Sequence, residues 1–166
     1  MKNIELKVQV KNFSDIVPIL KRIAARPAGL ISQKDTYFNC PGGRMKIREI
    51  NNSRYELIYY RRPDIQGSKI SNCQIIKMDK KMVSELKKIF RKLWGEKAVI
   101  IKNRRLWLLG KTRIHLDQVK GLGNYIELET VFNNDDHRKA MVEHRRIISV
   151  LRLRGNKKIK ESYSDL

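Results

Sequence analysis

Charged residues recur two positions apart in five segments that otherwise alternate with apolar ones. NIELKVQV sets Ile4, Leu6, Val8 and Val10 against Asn3, Glu5, Lys7 and Gln9. RMKIREI sets Met45 and Ile47 against Arg44, Lys46 and Arg48, and VIIKNRRLWLL places Lys102 and Arg104 on one side. TRIHLDQV sets Arg113, His115 and Asp117 against Ile114 and Leu116, and YIELETVF sets Glu127 and Glu129 against Ile126 and Leu128. A period of two is a strand signal. Residues two apart on a strand share a face at about 7 Å. Like charges held that way suffer repulsion and desolvation unless a ligand of opposite sign compensates. Clustered carboxylates call for a hard divalent cation, and oxygen ligands suit Mg²⁺ or Mn²⁺. Clustered Lys and Arg call for phosphate. Together they point to a metal–polyphosphate complex. The alternative is a set of amphipathic strands whose charged faces meet water. A sheet closed into a barrel, apolar side out under helices and charged side in, makes one site of all five segments.

Helices are available for that covering. One is expected from a Ser14 cap to about residue 26, with Ile16, Leu20, Ile23 and Ala24 on one side and Pro18 in its first turn. A second is expected over 79–94, with Met82, Val83, Leu86, Ile89, Phe90 and Leu93 as its stripe and Gly95 ending it. A third is expected over 136–154, with His137 and His144 at its surface or stripe edge. The other strands fall at 35–38, 55–61 and 73–78. The segment 62–72 and the tail from 156 read as loops. The chain of 166 residues reads as one domain, 1–166, without a repeat or a composition break.

No apolar run is long enough to span a bilayer and no signal pattern opens the chain, so a cytoplasmic protein without a membrane partner is expected. Cys40 and Cys73 lack metal spacing and read as free thiols. A net charge of +20 favours polyanions, whether phosphorylated small molecules or nucleic acid. Six cations along the second helix, Lys80, Lys81, Lys87, Lys88, Arg91 and Lys92, fit either a solvated face or an RNA-facing patch.

NIELKVQV, QKDTYFNCPGGRMKIRE, ELIYYRRPD with SKIS behind it, VIIKNRRLWLLGKTRIHLDQVKGLGNYIELE and the terminal SYSDL occur in family order from residue 3 to the end. In these stretches the chain resembles the CYTH superfamily, the triphosphate tunnel metalloenzymes, and is most similar to its class IV adenylate cyclase-like and thiamine triphosphatase-like members. The resemblance implies an α+β fold: an eight-stranded antiparallel β-barrel, open as a tunnel, with helices packed outside. It implies metal at Glu5, Glu127 and Glu129, with Asp117 as a further acidic position and Mg²⁺ or Mn²⁺ as the cofactor. It implies triphosphate binding by Lys7, Lys46, Arg48, Arg61, Lys102, Arg104 and Arg113, and catalytic roles for Glu5, Lys7, Asp117 and Glu127. The family's opening Glu-x-Glu-x-Lys is here Asn3-x-Glu5-x-Lys7. Asn3 is then a weak ligand that brings no charge.

The activity implied is metal-dependent hydrolysis of a small triphosphate, inorganic triphosphate or thiamine triphosphate. Three alternatives use the same tunnel: a class IV-type cyclase making cyclic AMP and pyrophosphate from ATP, an RNA 5′-triphosphatase, and a non-catalytic polyphosphate-binding module. The expected partner is a small triphosphate or nucleotide, with nucleic acid as an additional one, on a monomer or homodimer. Tyr37, Tyr60 and the 62–72 segment are candidates to contact a base.

Overall fold

The computed structural model describes residues 2–61, 65–133 and 136–166. Eight strands close into an antiparallel barrel: β1 (Lys2–Val10), β2 (Arg26–Phe38), β3 (Arg44–Ile50), β4 (Arg54–Arg61), β5 (Lys69–Met78), β6 (Glu96–Leu109), β7 (Thr112–Val119) and β8 (Gly123–Phe132). Their order around the barrel is β1-β5-β4-β3-β2-β6-β7-β8. Helices α1 (Ile16–Arg22), α2 (Lys80–Trp94) and α3 (His137–Val150) pack outside it. This is the expected α+β tunnel fold.

The alternation in sequence decides which side of each strand meets the helices. Leu6, Val8, Ile114, Leu116, Ile126 and Leu128 of β1, β7 and β8 pack against Ile16, Ile19 and Leu20 of α1 and Ile147 of α3. Phe38 and Ile47 pack beneath Val83 and Phe90 of α2, with the Phe38 and Phe90 rings edge to face at 5.3 Å. Each such side chain gains roughly 1.5–3 kcal/mol by leaving water. The alternating charged residues are thereby turned into the barrel.

Several boundaries differ from the sequence expectation. Helix α1 stops at Arg22, because Ala24 takes a left-handed φ of 55°, and Ser14 bonds Asn12 instead of capping the helix. Strand β2 begins at Arg26 and runs thirteen residues. Its start carries Pro27 and Gly29, which break a strand pattern on paper and are accommodated by a register shift against β6. Strand β5 begins at Lys69, inside the expected loop; positions 62–64 of that loop lie outside the described residues. Helix α2 matches closely: Asp79 accepts a hydrogen bond from Met82 N at 2.8 Å, and Gly95 ends it at φ 73°. Of its stripe, Val83 and Phe90 are buried, whereas Met82, Ile89 and Leu93 remain exposed. Helix α3 ends at Val150, where Arg152 turns the chain with φ 55°.

The tail is docked. Gln9 N donates to the Lys157 carbonyl at 3.0 Å and Ile159 N to the Lys7 carbonyl at 2.9 Å, so residues 157–159 extend the sheet beside β1.

His144 is fully buried and not at a stripe edge. Its Nδ1 lies 2.8 Å from Thr130 Oγ1 and its Nε2 3.1 Å from Ser68 Oγ. Burial pushes its pKa from 6.5 down to about 4. As pH falls through that window the unfolded chain takes up a proton that the folded chain refuses, so stability falls, by on the order of 3 kcal/mol in full. Urea unfolding of His144→Gln beside the wild type should show the gap between the two narrowing from pH 7 to pH 4.5. A gap independent of pH would contradict this.

Candidate active site

The inward residues enclose a cavity of about 280 Å³ lined from all eight strands. Two constellations in it follow one plan. Strand β3 pairs with β2 so that Arg48 stands opposite Asp35, and β6 pairs with β7 so that Arg104 stands opposite Asp117. Asp35 accepts from Arg48 at 2.8 Å through both oxygens and from Lys46 Nζ at 2.8 Å. Asp117 accepts from Arg104 at 2.6 and 2.7 Å, from Lys102 Nζ at 2.8 Å and from Tyr163 Oη at 3.2 Å. Each Lys-x-Arg pair therefore sits on one buried aspartate. Burial alone would raise the pKa of either carboxyl, but the adjacent guanidinium and ammonium groups hold both well below the usual range.

Asp117 was expected near metal. Its oxygens are instead taken up by Lys102, Arg104 and Tyr163, and it is fully buried as their counter-ion. Asp35 plays the equivalent part for β3 and was not singled out in the sequence. The signal was QKDTYF: Asp35 and Tyr37 share a face two apart, as the other charged residues do.

The opposite wall is acidic. Glu5 pairs with Glu129 and Lys7 with Glu127 across β1 and β8. Ligand atoms of His115, Glu127 and Glu129 lie within 4.8 Å of one another. His115 Nδ1 is 3.7 Å from both carboxylates, too far for a hydrogen bond, and this buried atom has no hydrogen-bond partner among the described residues. The same carboxylates meet cations: Arg104 Nη2 lies 2.8 Å from Glu127, Arg113 Nη2 2.7 Å from Glu129, and Lys7 Nζ 3.8 Å from Glu127. Burial opposes ionisation of both. For Glu127, Lys7 and His115 outweigh it and hold the carboxyl well below its ordinary value; for Glu129, His115 and Arg113 lower it. Asn3 also lines the cavity, and its buried Oδ1 has no hydrogen-bond partner among the described residues. His115 had been placed on the charged face from sequence but given no role.

Lys46, Arg48, Lys102, Arg104, Arg113 and Lys7 all line the cavity. Arg61 does not. It is exposed on β4 and donates to Tyr59 Oη at 3.0 Å, while Glu56, Ile58 and Tyr60 are that strand's inward residues. Tyr55 and Leu57, which share the side of Arg61, pack under α2. The tail enters the cavity from the other side: Lys7 Nζ stands 3.8 Å from the centre of the Tyr163 ring, and Ser162 Oγ lies 3.2 Å from Tyr60 Oη and 3.5 Å from Tyr37 Oη. Asp165 bridges Arg44 and Lys97 and anchors this segment. Tyr37, Tyr60 and Tyr163 are thus held by cations and hydroxyls within the site.

Burial and the nearby Arg104 lower the Lys102 pKa to about 8, although Asp117 works against them. An anion arriving beside Lys102 favours its charged form and raises that pKa, so tripolyphosphate binding near pH 8.5 should take up a proton. Calorimetry in buffers of different ionisation heat reads this uptake. Lys102→Arg, charged throughout, should lose it; uptake unchanged in that variant would contradict the assignment.

Comparison with known proteins agrees with this geometry. A family profile described as "CYTH domain" matches residues 1–163. A Methanocaldococcus jannaschii protein provisionally named an adenylate cyclase is 25% identical over 176 residues, covering 100% of this chain and 98% of its own. A Pyrococcus horikoshii protein of solved structure superposes with a TM-score of 0.85 at 23% identity, covering 99% of this chain and 98% of that one. A Hippeastrum protein, provisionally named an adenylyl cyclase and described as having a dominant triphosphatase activity, superposes with a TM-score of 0.62 at 14% identity, covering 96% and 91%.

Proposed function

Because the chain belongs to the CYTH domain family, we propose that it is a divalent-metal-dependent enzyme that hydrolyses a small triphosphate, inorganic triphosphate or thiamine triphosphate, inside its barrel. The observation that carries this reading is the lining. Six cations converge on the cavity, and the hydroxyls of Tyr37, Tyr60 and Tyr163 bond to Lys46, Ser162 and Asp117. At about 280 Å³ the space lies at the low end for ligand pockets and suits a phosphate chain better than a whole nucleotide. This favours inorganic triphosphate over substrates whose organic group must also be seated, the nucleoside of ATP for cyclisation or the thiamine of thiamine triphosphate. The names of the M. jannaschii and Hippeastrum relatives keep both chemistries in view.

The donor set fits a divalent cation. His115 aims an unpartnered nitrogen at Glu127 and Glu129, and Glu5 lies in register beside them. When bound there, the cation supplies Lewis acidity toward phosphate oxygens and neutralises charge. Lys46 and Arg48 on one wall and Lys102 and Arg104 on another grip the phosphate chain in this proposal. Arg104 and Arg113, drawn from Glu127 and Glu129 to phosphate oxygens, leave those carboxylates open to the cation. The guanidiniums then offset charge that grows on the terminal phosphoryl oxygens as water attacks the phosphorus. Asp35 and Asp117 position the pairs throughout.

Incubating the pure protein with tripolyphosphate, thiamine triphosphate, ATP and 5′-triphosphate RNA, each with Mg²⁺ or Mn²⁺, tests the reading. Orthophosphate from the small triphosphates supports it. Cyclic AMP with pyrophosphate, or tight binding without turnover, overturns it in favour of the cyclase or the binding module.

A further inference from the structure

The tunnel accounts for little of the net charge of +20. Its six cations face Glu5, Asp35, Glu56, Asp117, Glu127 and Glu129, so the surplus lies on the outside of the barrel. That surplus is not uniformly free. On α2, three of six cations are paired, Lys87 with Glu49, Lys88 with Glu85 and Arg91 with Glu96, while Lys80, Lys81 and Lys92 are exposed without an ion-pair partner among the described residues. On α3, Arg138, Lys139, Arg145 and Arg146 are all exposed, and none has an ion-pair partner among the described residues. Glu143 of α3 turns away from them, accepting from Thr112 Oγ1 at 2.7 Å and from Lys111 N at 2.9 Å, and Asp136, at the N-cap, bonds Lys111 Nζ at 2.7 Å and feels Lys139 only at longer range.

The array is also ordered. Arg138 and Arg145 are seven residues apart, as are Lys139 and Arg146, which sets two adjacent rows with a step of about 10 Å along the axis. Ala140, His144 and Ile147 clamp the other side of the helix to the barrel, so the rows are held on a fixed support. Beyond the helix, Arg152 and Arg154 carry the exposed cations onward. We infer that this outer face of α3 is a docking surface for the phosphodiester backbone of a nucleic acid. Guanidiniums bind phosphate oxygens two at a time, and neutralising a polyanion releases its condensed counterions. The exposed residues between the cations, Val142 and Ser149, include no aromatic ring to stack and no amide to read a base edge, so the cations carry the contact through phosphate. A membrane surface fits less well. A helix lying in lipid buries an apolar face, and the apolar face of α3 is already spent on the barrel.

The test is fluorescence anisotropy of a labelled single-stranded RNA with the whole chain, titrated with salt from roughly 50 to 200 mM. The variant Arg138→Gln/Arg145→Gln/Arg146→Gln is compared with Lys80→Gln/Lys81→Gln/Lys92→Gln, which removes as many exposed cations from α2. The α3 variant should bind roughly tenfold more weakly or worse and lower the salt slope by about 2, while the α2 variant stays close to wild type. All six positions are exposed, so both variants should fold, as circular dichroism and thermal melting would verify. Equal losses in the two variants would overturn the inference in favour of diffuse charge. So would an absence of RNA binding at low salt, or retention on phosphatidylserine vesicles where RNA is not bound. Hydrolysis of tripolyphosphate should be unchanged in the α3 variant, because its residues lie outside the tunnel; this separates the surface from the tunnel reading.

Discussion

Asp117→Ala is expected to destabilise the protein by about 3–5 kcal/mol, the usual cost of removing one partner from a buried ion pair. Lys102 and Arg104 are both buried, and Asp117 accepts from each at 2.8 Å or less. Arg104 keeps Glu127, but Lys102 is left with no anion bonded to it among the described residues. Its pKa, already lowered to about 8, falls further, and neutralisation limits the cost. The distinctive part of the prediction is rescue. Tripolyphosphate brings back the lost countercharge, so it should raise the melting temperature of Asp117→Ala by more than that of the wild type. Equal stabilisation of the two would contradict the role given to the Lys-x-Arg pair. Asp35→Ala should behave in the same way, since Asp35 likewise accepts from a Lys and an Arg two residues apart, Lys46 and Arg48.

Glu127→Gln carries the second large effect. The amide keeps the shape and can still accept from Arg104, but it loses the charge that a divalent cation requires. In the proposed mechanism kcat for tripolyphosphate falls by about 10²-fold or more, with the melting temperature changed far less than in Asp117→Ala. Manganese titration followed by electron paramagnetic resonance should show weakened binding in the same variant and in His115→Asn. Near wild-type turnover in folded Glu127→Gln protein would count heavily against the His115–Glu127–Glu129 site.

The barrel was legible because an inverted alternation is hard to satisfy otherwise. Met45 and Ile47 had to face a helix if Lys46 and Arg48 faced a ligand, and the same held for Leu128 against Glu127 and Glu129. Register across strands was not legible. Sequence spacing puts Lys102 and Arg104 on one face, but only pairing of β6 with β7 puts Asp117 opposite Arg104. Asp117 was placed near the metal by the family resemblance, and Asp35 went unnoticed; the register shows both bonded to a Lys-x-Arg pair. Arg61 failed for a simpler reason: it alternates with Tyr55, Leu57 and Tyr59, which belong to the outer side of β4. The apolar stripe of α2 overstated what the barrel covers, because a sheet surface meets only Val83, Phe90 and the partly buried Leu86 and Trp94. Asn3 keeps its meaning from the sequence, an uncharged residue at the acidic wall whose oxygen has no partner among the described residues.

The central claim is that the charged interior holds a triphosphate for hydrolysis. Its most direct test is orthophosphate release from tripolyphosphate with Mn²⁺ or Mg²⁺, measured side by side for the wild type, Glu127→Gln and Arg48→Ala. The account predicts release by the wild type and a fall in kcat of about 10²-fold or more in each variant. No release by the wild type with either metal, or equal rates in all three proteins, would contradict it.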